Sequence, residues 1–267
     1  DNSVMLDYLA VTIKGLAPDD VIEKILILPK EKFVLNEWGI NKYQRHYAFS
    51  EIKVYFNKDW ESKMGVFIEL RGQGCRQYEE YMESNVNNWV TLMKRISECH
   101  SNVTRLDIAN DIFDDSLSVP LIYSYCKKKL CISTAKTFDY HEKSILENGE
   151  KVGEMVTIGV RGTQQWCIYN KLLEQKLDKD LPETPSSWTR AELRCWQEKA
   201  NLLAQQIKKG RPLKEIYFEA INGHYRFVSP RDKDSNRWRR KNVKWWNDYL
   251  ETQEKTVLSV KRTKPTL

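Results

Sequence analysis

Histidine is scarce in this chain, at four residues in 267, and His46, His100, His141 and His224 lie far apart. A clustered histidine metal site is thereby disfavoured, although residues distant in sequence can meet in space. The phosphate-cradling Gly-x4-Gly-Lys-Ser/Thr loop is missing, which argues against an intrinsic NTPase. Gly-x-Gly-x-x-Gly, Gly-x-Ser-x-Gly and His-Glu-x-x-His are missing as well. No apolar run approaches the roughly 20 residues that cross a bilayer, so no membrane partner is expected. The first residues, Asp1 to Leu9, lack a basic segment leading into an apolar stretch, and no secretory signal is expected. Cys75, Cys99, Cys126, Cys131, Cys167 and Cys195 form no Cys-x-x-Cys pair and no zinc spacing. They read as reduced, mostly buried thiols of a cytoplasmic protein. No internal repeat and no low-complexity block stand out.

What is present fits a globular chain with a sizeable core: 41% hydrophobic and 30% charged residues. The net charge of +6 is unevenly placed. From Arg226 onward there are 12 Lys/Arg against 5 Asp/Glu, or 12 − 5 = +7, leaving 6 − 7 = −1 for everything before. A near-neutral body with a basic tail suits a protein that grips a phosphate backbone, and a solvated basic terminus accounts for the same numbers.

Short strands and helices alternate, which predicts a mixed α and β domain. A helix is expected from Pro18 to about Leu28, a strand from about His46 to Phe56, and a return strand from Met64 to Arg71. Helical spacing marks Val86 to Ile96, then Pro120 to Leu130, then Gln197 to Lys209 with Gly210 as its stop. Three strands have two distinguishable faces. Arg105 to Phe113 sets Leu106, Ile108 and Ile112 against Arg105, Asp107, Ala109 and Asp111. Met155 to Lys171 reads as a hairpin turning near Arg161 to Gln164, with Cys167, Tyr169 and Lys171 opposite Trp166 and Ile168. Trp188 to Trp196 alternates Ala191, Leu193 and Cys195 with Arg190, Glu192 and Arg194. Carboxylates on rigid strands suit Mg2+ or Mn2+, hard cations that take oxygen ligands, and an arginine–carboxylate ladder across strands explains the same pattern.

Four segments together resemble the Rep_trans family of rolling-circle replication initiators and relaxases. They are Leu6-Asp7-Tyr8-Leu9-Ala10-Val11-Thr12, Phe67 to Glu79 (FIELRGQGCRQYE) with its Gly-Gln-Gly-Cys-Arg turn, Thr104 to Phe113, and Trp166 to Gln175 (WCIYNKLLEQ). Arg190-Ala191-Glu192-Leu193-Arg194 is similar to the strand that follows the nucleophile segment. Arg161-Gly162-Thr163 is a looser counterpart of the Gly-Ser-Arg stretch of plasmid initiators.

The resemblance implies an α+β fold, an antiparallel-sheet core with flanking helices. This is like the relaxases named for their His-hydrophobic-His motif, but that motif is absent here. It implies a catalytic nicking-closing domain over residues 1–225 and a basic DNA-recognition segment over 226–267. Tyr169 would attack DNA, aided by Arg190, with Mg2+ or Mn2+ held by Asp107 and Glu192 first, then Glu69 and Asp111. Arg237, Trp238, Arg239, Arg240, Lys241 and Lys244 would contact DNA, with Trp245 and Trp246 equally suited to docking the tail on the body. The implied partners are double-strand origin DNA with a hairpin or single-stranded nick site, a second copy in a homodimer, and a host helicase. Transfer of a mobile element by the same chemistry, and origin binding without cleavage, are the alternative readings.

Overall fold

The structure, a computed structural model, describes residues 2–84, 87–175 and 184–251, so the last 16 residues of the expected DNA-recognition segment lie outside it. The first half runs β1 (Ser3–Lys14), α1 (Pro18–Asp20) continuing as a π-helical turn (Val21–Leu26), β2 (Val34–Asn36), β3 (Arg45–Phe49), β4 (Ile52–Phe56), β5 (Val66–Arg71), α2 (Gly72–Ser84) and α3 (Trp89–Ser97). The second half begins with β6 (His100–Ile112), α4 (Val119–Lys127), β7 (Cys131–Ser133), β8 (Phe138–Ser144), β9 (Lys151–Val160) and β10 (Gln164–Asn170). It continues with α5 (Lys171–Glu174), β11 (Thr189–Trp196), α6 (Gln197–Lys208), α7 (Leu213–His224) and β12 (Tyr225–Phe227). A 3-10 turn (Arg237–Arg239) and a helix over 244–251 follow. Among the described residues no helix is long and apolar enough to cross a membrane.

Ten strands form one sheet in the order β2-β3-β4-β5-β1-β6-β11-β10-β9-β8, antiparallel throughout, and β12 pairs with β7 in a small second sheet. Alternation along each strand divides the large sheet into two chemically different faces. Leu6, Leu9, Leu106, Ile108, Trp166, Ile168 and Leu193 turn to one side, where they pack with residues of α2, α3, α4, α6 and α7 in a single core. The opposite face carries the charged residues. The α+β expectation holds.

The order reads identically outward from the central β1–β6 pair. Each flank is a long strand, a helix, four strands and two helices, with β7 and α5 as additions in the second. The sequence echoes this: Glu69-Leu70-Arg71 on β5, paired with Ala10 to Tyr8 of β1, answers Glu192-Leu193-Arg194 on β11, paired with Ala109 to Asp107 of β6. The expectation of no internal repeat is therefore corrected. The offsets differ, 107 − 8 = 99 between β1 and β6 and 192 − 69 = 123 between β5 and β11, so no fixed period exists to detect.

Three further expectations change. The strand expected over His46 to Phe56 is the hairpin β3–β4, which turns through Ser50 in the left-handed region at φ 50° without a glycine. The Gly-Gln-Gly segment is the first turn of α2 rather than a tight turn. A side chain at Gly74 would meet the Glu51 carbonyl oxygen at 2.7 Å, so glycine is there for close approach. The boundary expected at 225/226 falls inside β12. Phe227, Trp246 and Tyr249 are fully buried in the same core as the body, with Trp246 5.9 Å from Trp166 and the Tyr249 hydroxyl within 3.1 Å of that of Tyr217.

Candidate active site

The polar face of the central strands brings together most of the residues singled out in the sequence. β10 pairs with β11 so that Tyr169 stands opposite Arg190, and β11 pairs with β6 so that Arg190 stands opposite Asp111 and Arg194 opposite Asp107. β10 ends at Asn170, whose side chain caps α5 by accepting from the Leu173 amide. Tyr169 thus sits one residue from the mouth of the sheet. The Tyr169 hydroxyl donates to Glu192 Oε1 at 2.5 Å, and the Lys171 ammonium lies 5.5 Å from the centre of its ring.

Each carboxylate expected to hold metal is engaged by an arginine. Arg105 clasps Asp107 through Nε and Nη2, with the shortest contact at 2.6 Å. Arg194 Nε reaches Glu192 Oε2 at 2.8 Å, and Arg71 Nε reaches Glu69 Oε1 at 3.2 Å. Arg190 makes a two-pronged pair with Asp111 at 2.6 and 2.8 Å, and the Trp188 indole donates to the same carboxylate at 2.9 Å. Such bidentate pairing rigidifies both partners. Carboxylate oxygens are chemically right for Mg2+ or Mn2+. In the arrangement seen here they do not fit a resident metal: among the described residues no three Asp, Glu, His or Cys side chains converge on one point.

Asp7 escaped the sequence analysis as a site member. The β1–β6 register slips between Leu6 and Tyr8, and this bulge turns Asp7 towards Arg190, whose Nη1 lies 3.3 Å from its carboxylate. The Gly-Gln-Gly-Cys-Arg motif supports the bulge: Arg76 donates to the Leu6 carbonyl, and a side chain at Gly72 would meet Asp7 Oδ1 at 3.2 Å. In the sequence the bulge shows only as Leu6 falling out of step with Leu9, Val11 and Ile13, and the family motif pointed near it. Arg105 and Arg194 were legible as polar-face residues but not as site members.

Burial dominates the electrostatics. It pushes Asp7 up to about 6, with the Glu192 charge adding to it and Arg190 opposing. Burial likewise raises Asp107 to about 6 against the pull of Arg105. The Tyr169 phenol is held well above its ordinary value by burial, by the Glu192 charge and by the hydrogen bond to it. Burial also presses Glu192 upward, but Arg194, the Tyr169 hydroxyl and Arg190 outweigh it and leave the carboxyl below its usual range. Glu192 is therefore an ionised acceptor facing a protonated phenol.

An open cleft of about 420 Å3 lies against this constellation, walled by Tyr169, Asn170 and Arg194 on one side and by His141, Glu154 and Met155 of the β8–β9 hairpin on the other. The first half of the chain holds a counterpart position. There Tyr55 on β4 stands opposite Phe67, two residues before Glu69, just as Tyr169 stands opposite Arg190, two residues before Glu192. Tyr55 is only 2% exposed, closed in by Tyr43, His46 and Phe67.

The six residues expected to contact DNA do not join this site. Arg237, Trp238, Arg239, Lys241 and Lys244 are exposed and Arg240 half-buried, in and beside a loop held by Arg226, which bonds the Trp238 and Arg240 carbonyls. Trp246 is buried and Trp245 half-buried against the core, as the docking alternative had it.

Comparison with known proteins agrees with this architecture. Residues 3–95 match the model of the rolling-circle replication initiation protein N-terminal domain, and residues 101–267 that of the replication initiation factor family, Rep_trans. The chain is 29% identical over 262 residues to "Putative DNA relaxase NicK" of Bacillus subtilis (strain 168), covering 97% of this chain and 74% of that protein. It is similar to the solved structure of a rolling-circle replication initiator protein from Geobacillus stearothermophilus, with a TM-score of 0.82, 25% identity, and 96% and 97% of the two chains covered. With both halves of the sheet matched in order, this chain belongs to the Rep_trans family of rolling-circle replication initiators and relaxases, which are DNA-nicking proteins.

Proposed function

We propose that the chain binds a double-strand origin, nicks one strand through Tyr169 and later rejoins it, starting and ending a round of rolling-circle replication. The observation that carries this reading is the Tyr169 phenol at an open cleft with its proton already directed at Glu192. Attack by the Tyr169 oxygen forms an O–P bond and breaks the P–O3′ bond, giving a 5′-phosphotyrosyl link and a free 3′-OH for a polymerase. The phenolic proton passes to Glu192 Oε1. Asp7, which burial raises to about 6 and whose carboxylate lies 3.3 Å from Arg190 Nη1, supplies a proton to the departing 3′-oxygen from the fraction protonated near pH 6. Arg190 offsets charge developing on the phosphate. Because transfer conserves the bond energy, rejoining by the reverse attack needs no nucleotide.

The same reading routes no step through Mg2+ or Mn2+, because the expected ligands Asp107, Glu192, Glu69 and Asp111 are each held by an arginine in the arrangement seen here. It assigns duplex recognition to residues 226–267, through Arg237, Trp238, Arg239, Arg240, Lys241 and Lys244. It includes action as a homodimer and recruitment of a host helicase. Support for these comes from family membership. Transfer of a mobile element would use identical chemistry, and the NicK relative favours it to the same degree that the initiator structure favours replication.

The decisive test incubates the protein with Mg2+ and supercoiled plasmid carrying its origin, beside Tyr169→Phe. Nicking and a covalent 5′ adduct are expected from the wild type alone. An adduct in Tyr169→Phe would remove Tyr169 as nucleophile, and an origin bound but never nicked would leave a non-catalytic regulator.

A further inference from the structure

A second groove, of about 490 Å3, opens where the loop around Arg237 folds over the segment following α4. Lys129, Lys136, Phe138, Ile158, Arg237 and Trp238 are among its walls, and no carboxylate lines it. Ile158 stands opposite Trp166 in the β9–β10 register, three residues along β10 from Tyr169. An odd separation puts the two on opposite faces, so this groove lies on the other side of the β8–β9 ribbon from the cleft at Tyr169.

Trp238 is 58% exposed, an unusual state for so large an aromatic in a loop so well tied. Its amide donates to the Asn236 side chain, its carbonyl accepts from Arg226 at 2.8 Å, and Arg237 reaches across to the Cys131 carbonyl at 3.2 Å. The indole is therefore presented by a braced turn. Around it two basic runs remote in sequence come together: Lys127, Lys128 and Lys129 at the end of α4, all exposed, and Arg237 to Lys241. The volume falls in the range of pockets that enclose small organic groups.

We infer that this groove is a binding site for an unpaired nucleotide, its base stacked on Trp238 and its phosphate held by Lys129 and Lys136. The inference rests on the proposed action at an origin and deepens it, because a base in a duplex offers no free ring face to an indole. A planar aromatic beside Lys129, Lys136 and Arg237, with no carboxylate among the described residues that line the groove, suits stacking plus backbone neutralisation. A strand occupying both the cleft and this groove must pass round the β8 edge.

The test titrates the protein with single-stranded oligothymidylate and, separately, with a blunt duplex of equal length, following anisotropy and tryptophan fluorescence. Trp238→Ala should weaken single-strand binding by roughly 5- to 100-fold, the worth of one stacked base, and Trp238→Phe should recover most of it. Lys129→Ala with Lys136→Ala should flatten the salt dependence by one to two phosphates' worth of slope, of order 1–2 in log Kd against log salt. Blunt-duplex binding should change little in Lys129→Ala with Lys136→Ala, and Trp238→Ala should lose clearly more on the single strand than on the duplex. Unchanged single-strand affinity, equal losses on single strand and duplex, or no single-strand binding by the wild type would each overturn the site. Tyr169-dependent nicking is read in a separate assay. Its persistence with unaltered oligothymidylate binding in Trp238→Ala sinks this inference alone, and its absence with Trp238-dependent binding sinks the nicking reading alone.

Discussion

At the scale of single residues, the arrangement of Tyr169 and Glu192 sets an acceptor in place before any substrate arrives. Glu192→Gln keeps the shape and removes the acceptor charge, so single-turnover nicking should fall by roughly 100- to 10,000-fold with DNA affinity nearly intact. A loss of affinity alone would make Glu192 a structural partner. Asp7 offers a different handle. Its folded value of about 6 stands above the 3.8 of a free carboxyl, so between those pH values the folded state holds a proton that the unfolded chain has released. This contribution favours folding in acid and is lost as pH rises through about 6. Asp7→Asn, which stays neutral, should therefore gain on the wild type in Tm between pH 4 and 7, and parallel Tm curves would refute the shift. Tyr169 was legible through its motif, because thirteen tyrosines give residue type no power to choose. Asp7 was quoted within a motif but not recognised as a site residue, because its orientation is made by a backbone irregularity.

At the scale of elements, alternation exposed β6, β9, β10 and β11, β5 was read as a return strand, β3 and β4 were read as one, and β2 and β8 were not read, whereas the 3.6-residue period exposed α3, α4 and α6. The failures have local causes. Two glycines hid the start of α2, since their role is steric, against Asp7 and Glu51, rather than conformational. The β9–β10 hairpin that carries Tyr169 hinges on Gly159, at φ 105°, where a side chain would meet the Gln164 carbonyl oxygen at 2.4 Å. Gly159→Ala should destabilise the protein by about 1–3 kcal/mol and lower nicking beyond what stability accounts for, because the hairpin register sets the height of Tyr169. Urea denaturation beside a nicking assay separates the two effects.

At the scale of the whole molecule, the tryptophans of the tail divide by role in a way their spacing did not reveal. Trp246 completes the core and Trp238 faces outward. Trp246→Ala should cost about 3–5 kcal/mol, and Trp238→Ala no more than about 0.5 kcal/mol, by chemical denaturation. A chain ending at residue 225 should for the same reason fail to fold cooperatively.

The doubled sheet has a consequence for how the protein is held together. Asp7 and the Gly-Gln-Gly-Cys-Arg support come from the first half, whereas Asp107, Asp111, Tyr169, Arg190 and Glu192 come from the second, joined along the β1–β6 seam. The proposed nicking centre is thus an interface that happens to lie within one chain. Cut at the junction between α3 and β6, the two pieces should be inactive separately and regain Tyr169-dependent nicking when produced together, as an obligate heterodimer would.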